Sequence, residues 1–146
     1  MNSFITIVSD RSKFQNLKAK NTFIAKINGE RCKTSNDLFR ELKNEFELPD
    51  YFGKNLDALY DCLMDMEWIA QDHIRIVIDA FDLLLSNEEN DPELIEDFII
   101  TLDDICQSWD LLDNEETTPK SFQVFIFDSE TAKEILNLNG ISFDII

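Results

Sequence analysis

Residues 48–63 read LPDYFGKNLDALYDCL, and this stretch decides how the rest of the chain is read. A Pro–Asp pair turns the backbone, two aromatics follow, and Gly53 leads into a short helix. Leu56, Leu59 and Leu63 recur at three- and four-residue steps, so they mark the buried stripe of a helix expected from about Asn55 to Glu67. Asp57 and Asp61 lie one turn apart on that helix, with Tyr60 between them in sequence. Like charges at this spacing cost a helix roughly 0.2–0.5 kcal/mol. The helix dipole offsets part of the cost for Asp57 and less for Asp61, which lies further in.

Outward from this stretch the chain alternates strand and helix. Thr22–Ile27 reads as a strand ending at the turn Asn28–Gly29. Ser35–Glu47 reads as a helix with Leu38, Phe39, Leu42 and Phe46 on one face, Thr34 or Ser35 as its N-cap and Pro49 as its stop. His73–Asp79 is a strand. Asp91–Pro92 supplies a cap and a proline at the first position of a helix to about Trp109, whose apolar residues are Leu94, Phe98, Leu102, Ile105 and Trp109. Phe122–Phe127, nearly all apolar, fits a strand covered on both faces. Towards the ends, Phe4–Val8 and Ile141–Ile146 read as strands, Thr131–Leu138 as a helix and Ser12–Lys20 as a short helix. The acidic segments SNEEND (86–91) and DNEETT (113–118) read as solvated turns. The pattern predicts one α/β domain over 1–146, with a small, mainly parallel β-sheet and helices packed on it.

The chain has 146 residues, 44% of them hydrophobic, which suits a globular domain with a real core. Its net charge of −17 is unevenly spread: residues 1–49 carry +3 and residues 50–146 carry −20. Such a balance excludes general nucleic-acid binding, which needs Lys and Arg on phosphates, and argues against an anionic membrane surface. It points to a cationic partner. Cys32, Cys62 and Cys106 are odd in number and widely spaced, so they are expected to be reduced, buried and cytoplasmic. The opening MNSFITIVSD has no secretory-leader pattern, and no apolar run is long enough to span a membrane. His73 is the only histidine and has no nucleophile or metal motif beside it. The three glycines form no nucleotide-binding pattern, so no cofactor or metal is expected.

The residues alone leave Asp57 and Asp61 open to several readings. They fit an ordinary solvated helix face, an acid–base pair of a carboxylate-dependent hydrolase, or a contact for a positively charged protein. Tyr51 and Tyr60 beside them add aromatic surface of the kind found at interface hot spots, whereas Phe52 is expected in the core.

The segments INGE (27–30), SNDLFRELKNEFELP (35–49) and DYFGKNLDALYDCL (50–63) together resemble the barstar family, intracellular inhibitors of the bacterial ribonuclease barnase. The likeness is strong from Lys26 to about Met66 and continues by element order to about Phe127. It implies a barstar-like core over about 22–128, extended by extra elements at 1–21 and 129–146. It also implies a non-catalytic inhibitor or immunity protein of a toxin–antitoxin pair, acting on a basic secreted or delivered ribonuclease or nuclease toxin. By matched position Asp61 is the central phosphate mimic, Asp57 a second charged contact and Tyr51 a stacking residue. Gly53 and Asn55 shape the loop and cap the helix, and Tyr60 stands where the family has a larger aromatic. Asp104 matches a peripheral acidic contact. Lys54 and Met66 depart from the family's pattern. An acidic module that mimics nucleic acid toward another basic protein is the alternative.

Overall fold

The computed structural model describes residues 3–17, 19–112 and 120–146. Five segments with alternating or continuous apolar residues form strands: β1 (Ile5–Val8), β2 (Thr22–Asn28), β3 (His73–Asp79), β4 (Ser121–Phe127) and β5 (Phe143–Ile145). Four helices accompany them: α1 (Ser35–Phe46), α2 (Leu56–Asp65), α3 (Leu94–Leu111) and α4 (Glu130–Leu138). All strand pairs are parallel, in the order β2-β3-β4-β1-β5. The expected α/β architecture is therefore present, and the segments at both ends of the chain, β1 and β5, each contribute a strand to the same sheet.

Register explains where the core sits. Ala25, Ile76, Val124, Ile5 and Phe143 lie side by side across the five strands, and Ile27, Ile78, Ile126, Ile7 and Ile145 form the next row on that face. Except for the exposed Ile145, these rows meet Leu38, Leu42, Phe46, Leu59, Leu63, Phe98, Leu102, Ala132 and Leu136 from the four helices in one continuous core. The opposite face alternates Lys26, Val77, Phe125, Thr6 and Asp144 in register. There Val8, Val77, Phe125 and Phe127 make a smaller cluster with Phe14, Ile24 and Ile146. Phe14 comes from a 3-10 segment, Arg11–Leu17, in the connection from β1 to β2. Arg11 holds this connection down with two hydrogen bonds to Asp79, at 2.8 and 3.3 Å, and its guanidinium lies 4.3 Å from the Phe127 ring centroid.

Two outward N–H groups near the end of the edge strand β2 are occupied. Lys26 N donates to Glu45 at 2.6 Å and Asn28 N to Glu41 at 2.8 Å, both carboxylates from α1. This blunts an edge that would otherwise pair with another chain. Gly29 follows at once, and a Cβ there would lie 1.9 Å from the Ala80 carbonyl oxygen. The INGE turn thus needs glycine for a close backbone approach, not for an unusual φ.

Several boundaries differ from expectation. The short helix expected over Ser12–Lys20 is a 3-10 helix spanning Arg11–Leu17. Helix α3 begins at Leu94, not at Pro92: Asp91 and Pro92 form a turn closed by Leu94 N donating to the Asp91 carbonyl, and Glu93 at the cap makes no side-chain cap bond. The helix also runs on to Leu111. The last strand is shorter than Ile141–Ile146, because Gly140 with φ +64 and the following two residues complete the turn out of α4. The DNEETT segment lies outside the described residues. All three cysteines are free and buried.

Two outcomes follow from these contacts. Gly29→Ala should destabilise the fold by about 3 kcal/mol, the upper range for forced overpacking, read as a lower midpoint in urea unfolding. Arg11→Met should cost at most about 1 kcal/mol at neutral pH, since the pair is largely solvent-screened. Arg11 holds the Asp79 carboxyl below its usual range. The pair's contribution is therefore full above the unfolded carboxyl's pKa and lost as pH falls through the depressed folded value. The difference between the two proteins should shrink in strong acid to what the Arg11–Phe127 contact contributes.

Candidate functional site

Helix α2 is fixed on its inner side by specific contacts. Leu59, Cys62 and Leu63 are buried. Trp109 of α3 donates its indole N–H to the Leu63 carbonyl at 2.8 Å, and Tyr60 and Ser108 share a hydroxyl hydrogen bond of 2.8 Å. Trp68, just past the helix, donates to the Phe46 carbonyl at the end of α1 at 2.8 Å. The N-terminus is set by Asn55, whose Oδ1 accepts from Ala58 N at 2.8 Å while its Nδ2 donates to the Gly53 carbonyl at 3.1 Å. One side chain thereby caps the helix and closes the loop before it. Lys54, at φ +50, takes the left-handed conformation that makes this turn possible.

The outer side is different in kind. Asp57, Asp61 and Asp65 are exposed at successive four-residue steps, and Tyr51 in the preceding loop is 80% exposed. Among the described residues, neither Asp57 nor Asp61 has an ion-pair or hydrogen-bond partner. Acids elsewhere do: Asp37, Glu41, Asp50, Asp79, Asp128 and Glu130 each pair with a basic side chain. The chain's own paired cations are thus committed away from α2.

Six of the seven site residues expected from the sequence, Tyr51, Gly53, Asn55, Asp57, Tyr60 and Asp61, lie on α2 or the loop before it. Asp104 is exposed on the neighbouring α3, one turn before Ser108. Tyr60 is only half exposed, because its hydroxyl is held by Ser108. Met66 is fully buried.

The sequence reading missed further acids. Asp57 lines a groove of about 420 Å3 together with Glu88, Asp91, Asp97 and Lys54. Glu88 lies in the SNEEND turn but is more than solvated: it accepts from Ser35 N at 2.7 Å, the first turn of α1, and from Asn90 N at 3.1 Å. These backbone donors hold its carboxyl below the usual range. Asp65 could have been found by extending the four-residue step from Asp57 and Asp61. Asp97 and Glu88 carried no such signal, because only the fold brings them to α2.

A family model described as Barstar (barnase inhibitor) matches residues 22–126. The chain belongs to the barstar family. A Bacillus subtilis (strain 168) protein named "Putative ribonuclease inhibitor YrdF" is 58% identical over 26 residues, which are 18% of this chain and 29% of that relative. Among solved structures, the Aeropyrum pernix ORC2 protein, in ADPNP–ADP complexes, superposes with a TM-score of 0.56 at 11% identity, covering 97% of this chain and 41% of that one. At that identity the likeness concerns the fold alone. The chain thus matches less than half the length of each of these two proteins. The family match leaves out β1, α4 and β5.

Among the described residues, no group of three His, Cys, Asp or Glu side chains is arranged to hold a metal ion, and no helix is long and apolar enough to cross a membrane.

Removing the cap should show how far this face depends on Asn55. Asn55→Ala should cost about 1 kcal/mol of stability, as lost helix caps do. It should also raise hydrogen exchange in residues 51–58 above that of the sheet, measured by mass spectrometry.

Proposed function

We propose that this barstar-family chain is a non-catalytic protein inhibitor of a ribonuclease or nuclease toxin, acting as the immunity partner inside the cell that must survive the enzyme. Its exposed acidic helix and preceding loop would enter the nuclease active site, with carboxylates standing where RNA phosphates bind. The observation that carries this reading is the unpaired state of Asp57 and Asp61 on a helix otherwise anchored on its buried side. Two like charges at i and i+4 are tolerated in the free protein at small cost, and a cationic partner turns that cost into attraction.

Roles follow from position. Asp61, mid-helix and exposed, meets the most basic part of the partner. Asp57 supplies the second charge near the groove. Tyr51 offers a flat ring for stacking, and Gly53 and Asn55 keep the loop in place. Tyr60 contributes its exposed edge while its hydroxyl stays with Ser108. Asp104 adds a flanking charge. The −20 carried by residues 50–146 raises the rate of encounter with a basic enzyme.

A carboxylate-dependent hydrolase is less well supported, because Asp61 stands on an open helix face and not in a substrate cleft. The spread of acids to Asp65, Asp97 and Glu88 does favour a second reading, an acidic module binding some other basic protein. Single substitutions separate the two. Inhibition measured by titrating a barnase-type ribonuclease should be stoichiometric and weaker at high salt. Asp61→Ala should lose several kcal/mol of affinity, as a desolvated charged hot spot does, while the free variant gains roughly 0.2–0.5 kcal/mol of helix stability. Inhibition left intact in Asp61→Ala would instead assign binding to the distributed charge.

A further inference from the structure

On another side of α3 from the acidic face lies a cavity of about 210 Å3 that the inhibitor reading does not use. Helix α3 turns about 100° per residue. Asp103, Gln107 and Asp110 therefore project about a third of a turn away from Asp104 and from Ser108, which holds Tyr60. These three residues line the cavity together with Phe4, Leu111 and Ile141. Phe4 lies beside β1 and Ile141 beside β5, so one wall of the cavity comes from α3 and the other from residues outside the family match at 22–126. Gly140, also in its lining, has open space where a Cβ would stand.

Asp103 is the unusual group here. It is only 8% exposed. One carboxylate oxygen accepts from Gln107 Nε2 at 2.6 Å. The other oxygen has no partner among the described residues, and no cation pairs with the group. Burial pushes the carboxyl above its usual range, the Gln107 hydrogen bond opposes this, and Asp104 adds to it. A buried carboxylate without a counter-ion is costly, and the single hydrogen bond from Gln107 does not require a charge.

Size and lining decide what fits. The cavity exceeds the ~30 Å3 share of one water but falls short of the roughly 300–1,000 Å3 of drug-sized sites. A hard metal ion would need about six to eight oxygen ligands, whereas half of these walls are apolar. We propose that this cavity binds a small organic cation, an ammonium or guanidinium on a short apolar stem. Asp103 pairs with the charge, exposed Asp110 adds a second carboxylate, and Phe4, Ile141 and Leu111 cover the stem. Two sources carry that chemistry: a free small molecule, or a Lys or Arg side chain of another protein.

The test is an NMR titration of the full chain with n-butylammonium, n-butylguanidinium and n-butanol. The cations should give saturable shifts at Gly140, Ile141 and Ser142 in the millimolar range, at least tenfold tighter than the alcohol. Asp103→Asn should weaken them at least tenfold, and Asp61→Ala should not change them. Asp103→Asn should melt no lower than the parent; should it fail to fold, Asp110→Asn, at an exposed position, should still weaken the cations two- to threefold. The Nα-acetyl N-methylamides of lysine and arginine assign the source. Binding as tight as the butyl cations points to a protein side chain, and tenfold weaker binding to a free molecule. No shifts, equal binding of n-butanol, or undiminished binding by a folded Asp103→Asn would overturn the proposal.

Discussion

The structure turns on one asymmetry in helix α2. Its inner side is held by a buried apolar stripe and by hydrogen bonds with Trp109 and Ser108, while its outer side carries Asp57, Asp61 and Asp65 without a counter-charge among the described residues. Neither half works without the other. Unanchored, a ten-residue helix with like charges at four-residue steps would be marginal in water. Paired with the chain's own lysines and arginines, its carboxylates would have to be freed before meeting a partner. Packing on the hidden side makes the exposed charge affordable.

The rest of the fold serves that arrangement in recognisable ways. Rows of isoleucine across parallel strands give a rigid floor, and α3 packs directly against α2. Glu88 closes the start of α1 through Ser35 N and at the same time adds charge to the groove beside Asp57. Glu41 and Glu45 seal the β2 edge, keeping backbone pairing away from a protein whose proposed partner is met by side chains. Acids in this chain thus do two distinct jobs: some satisfy backbone donors or basic side chains, and those on α2 stay unpaired.

Much of this was legible in the sequence where one local force dominates. Three- and four-residue apolar spacing located α1, α2 and the body of α3, and the LPDYFGKNLDALYDCL stretch placed the loop, the cap and the two central aspartates. What failed was decided at a distance. Pro92 fits the first turn of a helix, yet its segment closes a turn and the helix waits until Leu94. The 3-10 connection is laid over the second sheet face by Phe14, Arg11 and Phe127, none of which signals the others locally. Asp97 and Glu88 reach the site only through the packing of α3 and the loop before it, so no spacing rule could have named them. The joining of β1 and β5 to the sheet was likewise invisible, because short apolar segments at chain ends do not reveal their neighbours.

The most direct test of the account is to map the surface that a bound ribonuclease covers, by hydrogen exchange or backbone NMR of the complex. The account predicts protection concentrated in residues 51–65, with flanking changes at 88–91 and along the 97–108 face of α3, and none on β5. Protection centred instead on the second sheet face around Lys26 and Phe125, or on the β5 edge, would contradict it.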